Sequence, residues 1–363
     1  MKCKYSECQV FFTKVSYSNI IGKVRFYKNL QPYLFFMDFR IPDTPPAILP
    51  LPPAVHRPLW SVMIPVYNCA HFLAETLTSV LRQAMPEEDM QIEVIDDAST
   101  DADVAKMVQE IGQGRVKYFR QQENVGSLRN FETCINRAQG KLVHLLHGDD
   151  LVNPGFYEKM GSLFQKYPSI GSALCRFTYL DEDGQRLYDQ NLEMEHEGIL
   201  ENWLTRVAVR NLSQYAATVV RRDVYEKLGS YYGITYGEDW EMWVRIAKYY
   251  PVAYTPEILA KYRKHSSSIS SNKFLTGQNS ADLLRVMEMI QELLPAEDRK
   301  AVLRKSKEFY AYYGIRMANQ VWHSAQNRKS VQAQIKYALR MHQAPLLCWK
   351  IAKLYTKMTL NIA

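Results

Sequence analysis

Two apolar runs that each end in paired carboxylates limit most tightly what this chain can fold into. One is Lys141-Leu142-Val143-His144-Leu145-Leu146-His147-Gly148-Asp149-Asp150, with Pro154 four residues on. The other is Gln91-Ile92-Glu93-Val94-Ile95-Asp96-Asp97-Ala98-Ser99-Thr100-Asp101. A short apolar run bounded by turn residues reads as a buried strand of a parallel sheet. Its polar end then emerges at the C-terminal edge of the sheet, where open α/β proteins bind ligands. Two strands that deliver carboxylates to one edge suit a divalent cation and a phosphorylated ligand, because Mg²⁺ takes one or two carboxylates plus substrate phosphate. Each run alone is equally an Asp-rich turn that caps a helix. The pair favours a site.

The surrounding pattern supports an α/β sheet. Ser61–Ile64 reads as a buried strand whose ladder Pro65 should end. Residues 71–84 repeat apolar side chains at helical spacing, namely Phe72, Leu73, Leu77, Val80 and Leu81. Strand 91–96, a helix through 103–111 with Asp101 as its expected cap, strand 116–120, helix 127–138, strand 142–146 and helix 155–167 follow. Such alternation implies right-handed crossovers and a mainly parallel sheet flanked by helices. A charged, Trp-bearing helix is expected over 239–249 and a last strand over 252–261. Beyond about residue 279 the chain reads as helical.

Three segments result. Residues 1–58 carry seven prolines between positions 42 and 58 and read as an N-terminal segment plus an extended, poorly ordered linker. Residues 59–270 form the α/β domain. Residues 271–363 form a basic helical extension. Six scattered cysteines without a Cys-x-x-Cys pair argue against a disulfide scaffold or zinc site and for a reducing cytoplasm. No apolar run has the length of a membrane span, and no signal-peptide core develops near the start. The net charge of +7 hides an asymmetry: residues 59–298 hold 24 basic against 34 acidic side chains, and residues 299–363 hold 13 against one. The acidic middle suits a metal site, and the basic tail suits an anionic partner.

Five elements taken in order resemble family 2 glycosyltransferases of the GT-A fold. They are Ser61-Val62-Met63-Ile64-Pro65-Val66-Tyr67-Asn68; Val94 to Asp101; Asn124-Val125-Gly126; His147-Gly148-Asp149-Asp150-x-x-x-Pro154; and Gly237-Glu238-Asp239-Trp240-Glu241. The resemblance implies an inverting enzyme that moves a sugar from a nucleotide-sugar, UDP-linked by expectation, to a hydroxyl of a glycan or lipid-linked acceptor. It implies that Pro65, Tyr67 and Asn68 hold the nucleotide base and that Asp97 contacts it. Arg129 would face the pyrophosphate, although a solvated surface arginine is an equal reading. His147 stands where the family has the first carboxylate of its Asp-x-Asp motif, which contacts ribose or metal; as a neutral imidazole it can hydrogen-bond ribose or bind Mn²⁺ through nitrogen. Asp149 takes the metal-ligand position, Asp150 supports its neighbours, and Mn²⁺ or Mg²⁺ is the implied cofactor. Glu238 joins the donor site, and Asp239 is the implied base. Arg263-Lys264-His265 matches an Arg-x-His element, which makes His265 a second metal ligand or a diphosphate contact. Trp240 and Trp243 either stack on sugar or fill the core.

Rival readings are weaker. A nucleotidyltransferase would carry a Gly-rich basic loop, which residues 64–72 lack, and a dehydrogenase would show Gly-x-Gly-x-x-Gly after the first strand. A non-catalytic glycan-binding scaffold is favoured only by His147. No nucleic acid partner is expected. Residues 345–360 put Leu347, Ile351, Leu354 and Met358 on one helical stripe beside Lys350, Lys353 and Lys357, with Trp349 and Tyr355 nearby. That pattern suits either an anionic membrane surface at the inner face of a membrane or packing against the domain.

Overall fold

Seven consecutive buried residues, Trp60–Val66, form the central strand β1, and their alternation divides the molecule into two cores. The structure is a computed structural model that describes residues 39–53 and 56–361. Along the chain β1 is followed by α1 (Ala70–Leu81), β2 (Met90–Asp96), α2 (Val104–Gly112), β3 (Lys117–Arg120), α3 (Ser127–Arg137), β4 (Leu142–Leu145), β5 (Leu151–Val152), α4 (Phe156–Lys166) and β6 (Ser172–Leu180). Then come β7 (Arg186–Asp189), β8 (Gly198–Ile199), α5 (Trp203–Val209), a 3₁₀ turn at Tyr215–Ala217, β9 (Thr218–Arg221), α6 (Arg222–Leu228), α7 (Glu238–Tyr249) and β10 (Val252–Arg263). Five helices close the chain: α8 (Ile269–Thr276), α9 (Gln278–Gln291), α10 (Ala296–Ala325), α11 (Arg328–Met341) and α12 (Pro345–Thr359).

The strand order is β3-β2-β1-β4-β9-β6-β10-β5, with β7 on β6 and β8 on β10. β3, β2, β1 and β4 run parallel, β9 is antiparallel to both its neighbours, and β6 and β10 are parallel again. The register Val66↔Asp96 and Met63↔Leu145 brings β1, β2 and β4 out at the same edge. Because successive side chains point to opposite faces, Val62, Ile64 and Val66 pack with Leu73, Leu77 and Met160 on one face. Met63 and Ile95 face the other core, with Phe131 and Trp240.

Several expectations change. Pro65 does not end the ladder: its carbonyl accepts from the Gly148 N–H at 3.2 Å, and pairing continues to Val66. On that side β4 has already ended at Leu145, so no ladder bond is lost to the missing N–H. Asp103, not Asp101, caps α2 through the Lys106 N–H at 3.0 Å. Asp101 instead accepts from the Ala70 N–H at 2.9 Å and caps α1 across the loop. The Pro-rich stretch is laid along the domain rather than hanging as a linker. Pro42 and Pro46 carbonyls accept from Gly233 and Ser230, both at 2.8 Å, and Ile48 is buried. Prolines suit such a strap because it uses their carbonyls and needs few of their missing donors.

The C-terminal helices are not a separate body. Leu283, Val286 and Ile290 of α9, with Tyr310 and Trp322 of α10, share one apolar core with Trp240 and Ile246 of α7. Residues 38–363 form one compact unit. The stripe Leu347, Ile351, Leu354 and Met358 of α12 is buried in that core. A membrane therefore cannot be met through that stripe. Among the described residues no helix is long and apolar enough to cross a membrane.

Candidate active site

The turn after β4 gathers three metal-competent groups. One ligand atom each from His147, Asp149 and Asp150 lies within 4.8 Å of the others. Gly148 permits the turn, since a Cβ there would meet Cys69 Sγ and Val66 Cγ2 at 2.9 Å. His147 is held in aromatic company: its ring stacks on Phe131 at 5.2 Å and lies 4.4 Å from the Tyr215 ring. Burial lowers its pKa and keeps the imidazole neutral, the form that binds metal. Its Nε2 is buried without a protein partner. An orphaned imidazole nitrogen beside two carboxylates fits a borderline cation such as Mn²⁺.

The end of β10 holds this turn from behind. His265 Nε2 lies 2.9 Å from Asp149 Oδ2, and its Nδ1 lies 2.8 Å from Ser267 Oγ. Both ring nitrogens are thus engaged, and His265 orients Asp149 rather than joining the three-residue cluster. Burial pushes the Asp149 carboxyl up, but the His265 hydrogen bond and the neighbouring histidines outweigh it and leave the pKa lowered. Asp150 is pushed well above the carboxylate range by burial and by Asp149, while its Oδ1 accepts from the Arg263 N–H at 3.0 Å. Arg263 is almost wholly buried. It donates to the Asp149 and Glu182 carbonyls at 3.1 Å each and to Glu75 Oε2 at 2.5 Å, and lies over the Phe72 ring. It fastens β10, α1 and the acidic turn together.

A second acidic pair opens α7. Asp239 is buried, accepts from Asn211 Nδ2 at 2.7 Å through Oδ2, and accepts from the Trp240 N–H through Oδ1. Burial raises its pKa to about 6 although the Asn211 bond opposes the rise. Glu238 goes up to about 8, through burial and the charge of Asp239. The two carboxyls titrate as a pair, both pushed up by burial, so near neutral pH the pair shares one proton and one negative charge. A carboxylate with a pKa near the working pH is a competent general base. The Tyr215 hydroxyl donates to Glu238 Oε1 at 3.3 Å while its ring touches His147, so this side chain joins the two acidic groups. Trp240 and Trp243 are both buried, and the Trp240 indole donates to the Val207 carbonyl at 2.6 Å. Both fill core.

The loops after β1 and β2 are tied more closely to each other than the sequence suggested. Asp97 accepts from Val125 N–H at 2.8 Å, Asn124 Nδ2 at 2.9 Å and Gly126 N–H at 3.0 Å. Its pKa is raised by burial against these bonds. Gly126 has φ +85°, which a side chain would strain. Asn68 also adopts positive φ, and its Oδ1 accepts from the Thr100 N–H at 2.8 Å. Tyr67 is half exposed at the mouth of this region. Arg129 pairs with Glu132 at 2.7 Å and donates to the Phe39 carbonyl at 3.0 Å. The sequence reading missed Asn211 and Tyr215, which lie in the stretch without periodicity, and Arg263. The Arg-x-His element was a usable signal for Arg263; the other two carried none.

The fold that gathers these two acidic centres at one sheet edge is of the GT-A type. Residues 61–229 match Glycosyl transferase family 2. An uncharacterized protein of Mycobacterium tuberculosis is 26% identical over 285 residues, covering 72% of this chain and 84% of its own length. TuaG of Bacillus subtilis, named for glycosyl transfer in teichuronic acid biosynthesis, is 27% identical over 237 residues, which are 64% of this chain and 90% of TuaG. The crystal structure of S. aureus TarS 1–349 in complex with UDP-GlcNAc superposes with a TM-score of 0.59 at 16% identity, over 83% of this chain and 89% of that one.

Proposed function

We propose that the protein transfers a sugar from a UDP-linked donor to a hydroxyl of a glycan or lipid-linked acceptor, with inversion and with the help of Mn²⁺ or Mg²⁺, in the cytoplasm. The observation that carries the reading is Asp239: a buried carboxylate oriented by Asn211 with its pKa raised to about 6. In the proposed step an Asp239 oxygen takes the proton of the acceptor hydroxyl as the hydroxyl oxygen bonds to the anomeric carbon. The bond from that carbon to the diphosphate oxygen breaks on the opposite face, and the nucleoside diphosphate leaves. Asp149 would hold the cation, with His147 and Asp150 beside it, and His265 would fix the carboxylate's orientation. Bound there, the ion supplies Lewis-acid neutralisation of charge on the leaving diphosphate. Tyr67, Asn68 and the Asp97-linked loop would bound the nucleotide. A relative named for teichuronic acid biosynthesis, TuaG, supports a glycan as acceptor.

The test is thermal stabilisation and turnover of a panel of nucleotide-sugars, with and without Mn²⁺, in the native chain and in Asp149→Ala. UDP-sugars should stabilise the native chain only with metal, and the variant should lose that response. Donor affinity that ignores EDTA would remove the metal from the proposal.

A further inference from the structure

The burial of one face of α12 leaves another to be explained. Leu346, Trp349 and Leu360 are each more than half exposed, at 56%, 59% and 62%. At about 100° per residue they share one sector of the helix with Lys350, Lys353 and Lys357, turned roughly a third of a revolution from the buried stripe. Between α12 and α10 runs a groove of about 700 Å³. Arg316 and the three lysines line it together with Trp349, and no acid does. The Lys353 ammonium lies over the Trp349 ring at 5.6 Å, and Lys357 reaches Asn319 at 3.2 Å. From residue 309 to 363 the chain has eight basic side chains and no acidic one.

We infer that this face docks on an anionic phospholipid surface, with the groove receiving a lipid phosphate. Two features have to be explained together. The cations alone would suit any polyanion. Exposed Leu346, Trp349 and Leu360 have no use against a soluble, hydrated polyanion, but they match the boundary between headgroups and acyl chains, where an indole and short apolar side chains enter while lysines reach back to phosphate. The residues proposed for the base, the donor and the metal are not among those that line this groove, so this docking does not depend on the transfer reaction.

Co-sedimentation of the full chain with vesicles of phosphatidylcholine alone and of phosphatidylcholine with phosphatidylglycerol tests it at low salt. The chain should pellet only with the anionic vesicles. Lys350→Glu/Lys353→Glu should weaken binding at least about 25-fold, at about five-fold per charge near the surface, and Trp349→Ala/Leu346→Ala should weaken it several-fold. All four side chains are exposed, so thermal melts of the variants should overlay the native curve. A chain that stays in the supernatant with anionic vesicles overturns the inference. So does binding that survives Trp349→Ala/Leu346→Ala undiminished and is competed away fully by soluble polyphosphate, which would assign the face to a soluble polyanion.

Discussion

Asp97 and the His147–Asp150 turn are delivered by β2 and β4, two of four parallel strands joined in sequence through single helices, whereas Asp239 arrives on α7, whose place depends on pairing between β9, β6 and β10 far along the chain. In the first region the backbone does the positioning: strand ends share an edge, and turns such as Asn124–Gly126 close on the carboxylates through N–H groups. In the second, side chains do it. Asn211 aims Asp239, Tyr215 spans from Glu238 to His147, and the Tyr310 hydroxyl of α10 accepts from the Asn211 N–H at 3.1 Å. A backbone-built site resists substitution at its periphery. A side-chain-built site puts the proton affinity of its base under the control of single neighbours. The comparison can be broken at four points.

The largest effect belongs to Asp239→Asn. The amide keeps the size and a hydrogen bond to Asn211 but cannot take a proton, so kcat should fall ~10²–10⁴-fold while donor affinity holds. Near-normal turnover would take the base out of the second region altogether. In the native enzyme, protonation of Asp239 should give kcat an acid limb at about 6, because a carboxyl with a raised pKa is lost as a base when the pH drops through that value.

His265→Ala comes next and probes the first region. His265 contacts Asp149 without joining the three-residue cluster, so metal affinity should fall about 10–100-fold and saturating Mn²⁺ should restore most of kcat. Failure of excess metal to rescue would make His265 part of the chemistry rather than a support. Titration of Mn²⁺ by its quenching or relaxation signal separates the two results without reference to activity.

How much of this was legible follows the same division. Strands β1, β2 and β4 and helices α1 to α4 were readable because apolar periodicity is a local property and the ends of β2 and β4 carry their own acids. The motif Gly237-Glu238-Asp239 was readable only through resemblance, since acids at a helix start are ordinary caps. Asn211 and Tyr215 were hidden: residues 171–236 fold into short pieces, among them β7, β8 and β9, whose pairing partners are distant in sequence. The changed cap of α2 has a simple cause. Asp101 and Asp103 were equally placed to cap α2, and only the loop geometry turned Asp101 to α1. That Phe39 of the strap lies against Arg129 is a contact between residues far apart in sequence, which no local pattern announces.

Asn211→Ala tests whether the second region is controlled by its side chains. The lost bond to an ionised group is worth about 1.5–3 kcal/mol, so kcat should fall by about tenfold or more. Because the Asn211 bond lowers the Asp239 pKa, its removal should also move the acid limb of kcat above its native position. A loss of rate with an unmoved limb would mean that Asn211 positions acceptor, not base.

Tyr310→Phe should have the smallest effect and sets the outer boundary of that control. The Tyr310 hydroxyl touches Asn211 through the backbone N–H, not through the amide that meets Asp239. Deleting it leaves the ring contact with Trp240 in place and removes one neutral hydrogen bond, which costs about 1 kcal/mol. In a unit of this size the melting temperature should drop by about 2 °C, with the acid limb and KM unchanged. If the limb moves as far as in Asn211→Ala, the aim of Asp239 is set from α10. The basic C-terminal helices would then belong to the catalytic apparatus through Tyr310, not only to the core that α7 packs against.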